Sequence, residues 1–211
     1  SPINATLRPC REESVDFDNT QNLYIEGDNL DVLKCLKETY LHKVKMIYID
    51  PPYNTGKDFI YGDNFAEDAD KYLFNSDQYD EQGNRLSTNM ETNGRFHTDW
   101  LNMIYPRLKV ARDFLKEDGV IFISIDDHEV ENLRKVCDEI FGVTNFTGCI
   151  VLQTATDNNP RQINTEHEYI LCYCKNKDAQ ENWYADSDKA KLIQEKYIEL
   201  KDEYQNDIST I

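Results

Sequence analysis

Val-Lys-Met-Ile-Tyr-Ile-Asp-Pro-Pro-Tyr, residues 44–53, decides the fold class. The apolar, β-prone run reads as a strand, and Pro51-Pro52 stops it abruptly because neither proline can donate to a ladder. Asp50 therefore stands at the strand's carboxyl end. Upstream, residues 22–26 predict a short strand, Gly27 a turn, and Asp28 or Asn29 the cap of a helix with Leu30, Leu33, Leu36 and Tyr40 on one face. Downstream, 99–116 predicts a helix burying Leu101, Ile104, Leu108, Ala111 and Leu115, with a kink or break at Pro106. Residues 117–119 read as a turn, and the continuous apolar run 120–125 as a strand covered on both faces. Asp126-Asp127 then caps a helix through Val130, Leu133, Val136 or Cys137, and Ile140, closed by Gly142. Strands alternating with helices predict an α/β fold with a parallel, doubly wound sheet and flanking helices.

The rest of the chain is arranged around this unit. Residues 1–21 have no period and read as an arm. Residues 22–153 form the core, interrupted at about 63–95 by an acidic insert, and 154–211 continue it. Strands at 149–153 and 169–174 flank a polar loop at 154–165, and 187–205 reads as a polar helix with a thin apolar side.

Composition narrows the class. At 211 residues, with 39% hydrophobic and 11% aromatic content, the chain can bury a core without staples. The apolar runs are too short to cross a bilayer, and the amino terminus resembles neither a signal nor a transit peptide, so a cytoplasmic protein with no membrane partner is expected. Six scattered cysteines and four separated histidines show no zinc-like spacing, and no metal site is expected. Cys172 and Cys174, alternating on one strand face, suit small core positions. The net charge of −17 conflicts with a phosphate-binding surface. Part of it is local, since residues 63–93 carry eight acids against Lys71 and Arg85.

In open α/β sheets ligands gather at the carboxyl ends of strands, where this chain presents an acid, two rigid prolines and an aromatic ring. Methylation of an exocyclic amine needs such a set. The conjugated amine is a poor nucleophile, so acceptors must hold its hydrogens and align its lone pair with a methyl donor. Asp50 and the Pro51 carbonyl supply acceptors, and Tyr53 offers a stacking face for a base turned out of the duplex, where the ring counts for more than the hydroxyl. Alone, the four residues are equally well read as a strand-terminating turn.

Their neighbours carry more. Ile-Glu-Gly-Asp-Asn-Leu-Asp-Val-Leu (25–33), Met-Ile-Tyr-Ile-Asp-Pro-Pro-Tyr-Asn-Thr-Gly-Lys-Asp-Phe-Ile-Tyr (46–61), Trp-Leu-Asn-Met (100–103), Tyr-Pro-Arg-Leu (105–108), Asp-Gly-Val-Ile-Phe-Ile-Ser-Ile-Asp-Asp (118–127) and His-Glu-Tyr-Ile-Leu (167–171) closely resemble the modification subunits of type III restriction-modification systems. These are DNA adenine-N6 methyltransferases of the β permutation. The resemblance implies a Rossmann-like methyltransferase fold, S-adenosyl-L-methionine as cofactor, double-stranded DNA as substrate, a homodimer of modification subunits and a helicase-nuclease restriction subunit as partner. It implies catalytic roles for Asp50, Pro51, Pro52 and Tyr53. Asp28 is implied to touch the donor, with helix capping as its rival, and Trp100 to line the donor pocket, with core packing as its rival. Ser124 and Asp126 are weaker donor-pocket candidates, and Asn54 and Lys57 are candidates for substrate contact.

One departure stands out. The glycines at 27, 56, 62, 83, 94, 119, 142 and 148 include no Gly-x-Gly pair, so the family's glycine-rich donor loop is missing from these residues. The expectation is an incomplete methyltransferase, inactive alone and unable to bind the donor tightly. Two rivals remain: methylation of cytosine N4 or glutamine, against which Asp50 argues, and a non-catalytic DNA- or partner-binding module.

Overall fold

The computed structural model describes residues 6–56, 59–61, 86–88, 94–153, 165–184 and 187–203, with backbone alone at 59–61 and 86–88. Lys57, most of the acidic stretch at 63–95 and the polar loop from 154 lie outside the described residues.

Helix α1 (Asn29–Tyr40) begins as expected. The Asp28 carboxylate accepts from the Asp31 amide at 2.9 Å, occupying one of the donors a helix start leaves open. Strand β1 (Val44–Ile49) follows. Short strands β2 (Phe59–Tyr61) and β3 (Leu86–Thr88) pair antiparallel by themselves. Helix α2 (Phe96–Phe114) then leads directly into strand β4 (Leu115–Ile125), followed by helix α3 (Val130–Phe141), strand β5 (Phe146–Gln153) and strand β6 (His167–Cys174).

The main sheet has the order β1-β4-β6-β5. Its β1/β4 pair is parallel, as the alternation of strands and helices predicts, and β6 and β5 extend it antiparallel. Ile121, Ile123, Ile125, Leu171 and Tyr173 on one face pack against Trp100, Met103, Ile104 and Leu108 of α2 and Leu133, Cys137 and Phe141 of α3. At about 25 cal/mol per Å2 of apolar surface, this sheet-on-helix layer is the main term holding the unit together. Cys172 and Cys174 are buried, as their spacing suggests.

Four local expectations change. Residues 22–26 form no strand, with Leu23 71% and Tyr24 89% exposed, because a strand needs a neighbour and Leu23 and Ile25 instead line a cavity beside β1. Helix α2 passes through Pro106 as one 19-residue helix, with apolar residues buried on both sides of the proline outweighing one missing donor. Residues 117–119 belong to β4, whose register against β1 shifts between Val44 and Met46. Gly119 makes that passage feasible, since a Cβ there would lie 2.9 Å from the Lys116 carbonyl oxygen and 3.0 Å from that of Val44. Finally, the division expected at 153/154 falls inside the sheet, because β6 pairs with both β4 and β5. The first compact unit runs to Gln180.

The second unit, Glu181–Ile211, contains helix α4 (Asp188–Glu203). It buries none of its residues, in keeping with its thin apolar side. Among the described residues no helix is long and apolar enough to cross a membrane.

Candidate active site at the carboxyl end of the sheet

The site is built on the loop that leaves β1. Pro51-Pro52 ends the ladder, Asp50 is exposed, and Tyr53 is half-buried. The Tyr53 hydroxyl donates to Glu168 Oε2 at 3.2 Å. Burial, then the negative charges of Asp50 and Glu168, push this hydroxyl well above the ordinary tyrosine value, so it keeps its proton throughout the neutral range. The bond to Glu168 ties the ring to the start of β6.

Two anchors hold the loop from beneath. The Trp100 indole Nε1 donates to the Pro52 carbonyl at 2.7 Å from a fully buried position. On the other side of Tyr53, Asn54 adopts φ +63° and is completely buried. Asparagine tolerates this left-handed geometry better than most residues. Its Nδ2 donates to Glu129 Oε1 at 2.5 Å and lies 3.4 Å from the Phe96 carbonyl.

Beside Asp50, Pro51 and Pro52 lies a cavity of about 780 Å3 between α1, β1 and α2. Its wall is mainly apolar, from Val32, Leu33, Ile47, Ile49 and Met103 among others, with Asn29, Asp50 and Arg107 as polar points. Arg107 is almost entirely buried. Its Nε donates to Asn29 Oδ1 at 2.6 Å, its Nη1 to the Met103 carbonyl at 2.6 Å, and its Nη2 sits 3.9 Å from Asp28 Oδ2.

Asp50, Pro51 and Pro52 thus line the cavity, and Tyr53 follows them on the same loop without lining it. The structure sets other expected residues apart. Asp28 caps α1, and Trp100 sits in the core under the loop. Ser124 Oγ, buried on β4, makes a short hydrogen bond with the Tyr48 hydroxyl of the neighbouring strand. Asp126 accepts from the His128 amide at 2.9 Å and faces His128 Nδ1 at 2.9 Å, so neither it nor Asp127 caps α3 as expected; Glu129 is the residue before that helix, and no side chain caps it. Asn54 turns its side chain inward.

Four participants escaped the sequence reading. Glu168 and Tyr169 lie at the start of β6, the latter donating to Asp127 Oδ1 at 2.8 Å. Both stand in the 167–171 segment, which was informative as a pattern while assigning no side chain a task. Arg107 could have been found as the one base set among the apolar residues of the α2 stripe. Glu129 was masked by the acids before it, which read simply as helix caps.

An acid presented beside a cavity at the end of a parallel strand stands where small ligands gather in such sheets. Residues 44–210 match the DNA methylase family of the N6/N4 type, and the chain belongs to that family. It is 50% identical over 163 residues to the Mod subunit of the type III restriction-modification enzyme EcoP15I from Escherichia coli, covering 76% of this chain and 25% of that one. The EcoPI Mod subunit of Escherichia phage P1 is 43% identical over 84% of this chain and 28% of its own. The StyLTI Mod subunit of Salmonella typhimurium is 44% identical over 74% of this chain and 24% of its own. The chain spans about a quarter of the length of these relatives.

Proposed function

We propose that the chain carries the catalytic centre of an adenine-N6 DNA methyltransferase acting as the modification subunit of a type III restriction-modification system. The carrying observation is Asp50 at the edge of a cavity, with Tyr53 on the same loop, in a chain 50% identical over 163 residues to a type III Mod subunit. Asp50 accepts the hydrogens of the adenine amine, and the Tyr53 ring stacks on the extruded base. The Glu168 carboxylate keeps that ring from turning. The ring and acid must hold the amine in line for transfer, and this positioning supplies much of the rate.

S-adenosylmethionine is the proposed methyl donor, and the residues present fit one wall of its site, the glycine-rich donor loop being missing from them. The cavity volume falls within the roughly 300–1,000 Å3 of small-molecule sites, and an apolar wall with a few convergent polar groups is the usual composition. Asn29, Asp50 and Arg107 would hold its polar groups, and Val32, Leu33 and Ile49 would exclude water around its apolar parts. When bound, it supplies the electrophilic methyl group. Ser124 and Asp126, at the neighbouring strand end, are kept as outer donor-pocket residues, and Lys57 as a substrate contact. Double-stranded DNA, a second modification subunit and a restriction subunit are the proposed partners, with the cytoplasm as the compartment.

The test is Asp50→Ala in the full-length protein. Methyl transfer to DNA is expected to vanish while DNA affinity stays within about twofold, because the acid faces the amine and makes no phosphate contact. An Asp50→Ala protein that still methylates DNA would remove the assignment.

A further inference from the structure

We infer that Glu129 is a positioning residue for the reaction, acting on Tyr53 and Asp50 through Asn54. The inference rests on the methyltransferase reading above and assigns a task to a side chain which that reading leaves unused.

Glu129 lies directly before α3, and none of it reaches solvent. A buried carboxylate is retained only where donors surround it. Here they come from three separate places. Oε1 accepts from Asn54 Nδ2 at 2.5 Å and lies 2.6 Å from Nδ1 of His97, in the first turn of α2. Oε2 accepts from Asn132 Nδ2 at 2.8 Å, in the first turn of α3. One carboxylate therefore clamps the loop after β1 to the starts of two helices.

The geometry points at the loop because of what flanks Tyr53. The residue before it is held by Trp100 at the Pro52 carbonyl, and the residue after it by Glu129 at the Asn54 amide. Asn54 must also hold φ +63°, a conformation that reverts easily without a side-chain tether. With both neighbours fixed, the Cα of Tyr53 has little freedom, and its hydroxyl can then meet Glu168 while Asp50 stays on the same loop at the cavity. Glu129 makes none of these contacts itself. It stands behind the loop, so its loss should reach the reaction as misplacement of reacting groups, for which about 1 Å can cost roughly 100-fold.

The experiment measures transfer of radiolabelled methyl from S-adenosylmethionine to unmodified DNA by the full-length protein and its Glu129→Ala, Glu129→Gln, Asn54→Gly and Asp50→Ala variants. Glu129→Ala is expected to lower kcat by about 10- to 100-fold with KM for donor and DNA within about twofold. Glu129→Gln, which keeps an acceptor facing Asn54, should recover most of the rate. Asn54→Gly permits the positive φ without strain and cuts the same tether, so it guards against a Glu129→Ala protein that fails to fold. It should lose kcat to a similar extent, and a protein carrying both Glu129→Ala and Asn54→Gly should be no slower than the worse single one, because both break one link. A folded Asn54→Gly protein with wild-type kcat overturns the inference, as does a loss carried by KM alone. If those variants are unaffected while Asp50→Ala is dead, the positioning role falls and the methyltransferase reading stands. If Asp50→Ala is active, the reading itself falls and this inference with it.

Discussion

Two parallel neighbours in the sheet, β1 and β4, end at the same rim, and both continue into acids, yet the two ends are spent differently. After β1, Asp50 stays exposed at the cavity edge. After β4, Asp126 turns both oxygens onto His128, Asp127 receives the Tyr169 hydroxyl, and Glu129 goes inward. The rule that ligands gather at strand ends gives the address without the occupant. The prolines decide it. A loop that cannot continue into a helix presents its acid outward, whereas the acids of the loop before α3 are taken up by His128, Tyr169 and Asn54, and none of them caps that helix.

Matched substitutions sharpen this contrast most strongly. Asp50→Asn keeps the size of the side chain and removes half of its accepting capacity next to the reacting amine, and should cost about 100-fold or more in kcat by the scale of a lost transition-state contact. Asp126→Asn leaves an oxygen for the His128 amide and should change kcat by less than about threefold if that residue works only within its own loop. Equal losses in a methyl-transfer assay would erase the distinction between the two ends.

Tyr53 comes next. From the sequence, the ring counts for more than the hydroxyl. The structure gives the hydroxyl a carboxylate partner in Glu168, so it also fixes the ring angle. Tyr53→Ala should lose stacking worth about 1 to 3 kcal/mol. Tyr53→Phe keeps the ring but frees it, and leaves Glu168 without its donor. About a tenfold loss is expected, from the roughly 1.4 kcal/mol of one hydrogen bond. A Phe variant as fast as the parent would restore the simpler view of the ring as a platform only.

These differences follow from which information is local. The stop at Pro51-Pro52, the Asp28 cap, the buried run of β4 and the close of α3 at Gly142 (φ +95°) depend on neighbours in sequence, and all were legible there. The antiparallel insertion of β6 between β4 and β5 depends on pairing between distant segments, which periodicity does not encode. Residues 22–26 show the converse. Their alternation is strand-like, but strand formation needs a partner edge, and none is engaged. The same limit explains the site. Asp50 and Tyr53 are adjacent in one motif, whereas Glu129 and Glu168 reach it from 75 and 115 residues beyond their partners. Only folding reveals that Glu129 is a tether for the loop after β1 as well as the residue preceding a helix.

The smallest expected effect separates the two tasks open to Asp28. Its Oδ1 holds the Asp31 amide, its Oδ2 is 3.9 Å from Arg107, and Asn29, the next residue, lines the cavity in its place. Capping predicts that Asp28→Ala lowers the unfolding free energy of the chain by about 1 kcal/mol, measurable by urea titration, whereas Asp28→Asn changes it by only a few tenths because asparagine caps about as well. Donor contact predicts something else. The carboxylate charge would matter there, and Asp28→Asn would raise KM for S-adenosylmethionine even though stability is kept. With one oxygen committed to the helix and the other facing a guanidinium, the expected result is an Asp28→Asn protein normal in both respects. A tenfold rise in KM at unchanged stability would instead move Asp28 into the donor site, and would show that a helix cap and a ligand contact can share one carboxylate at this rim.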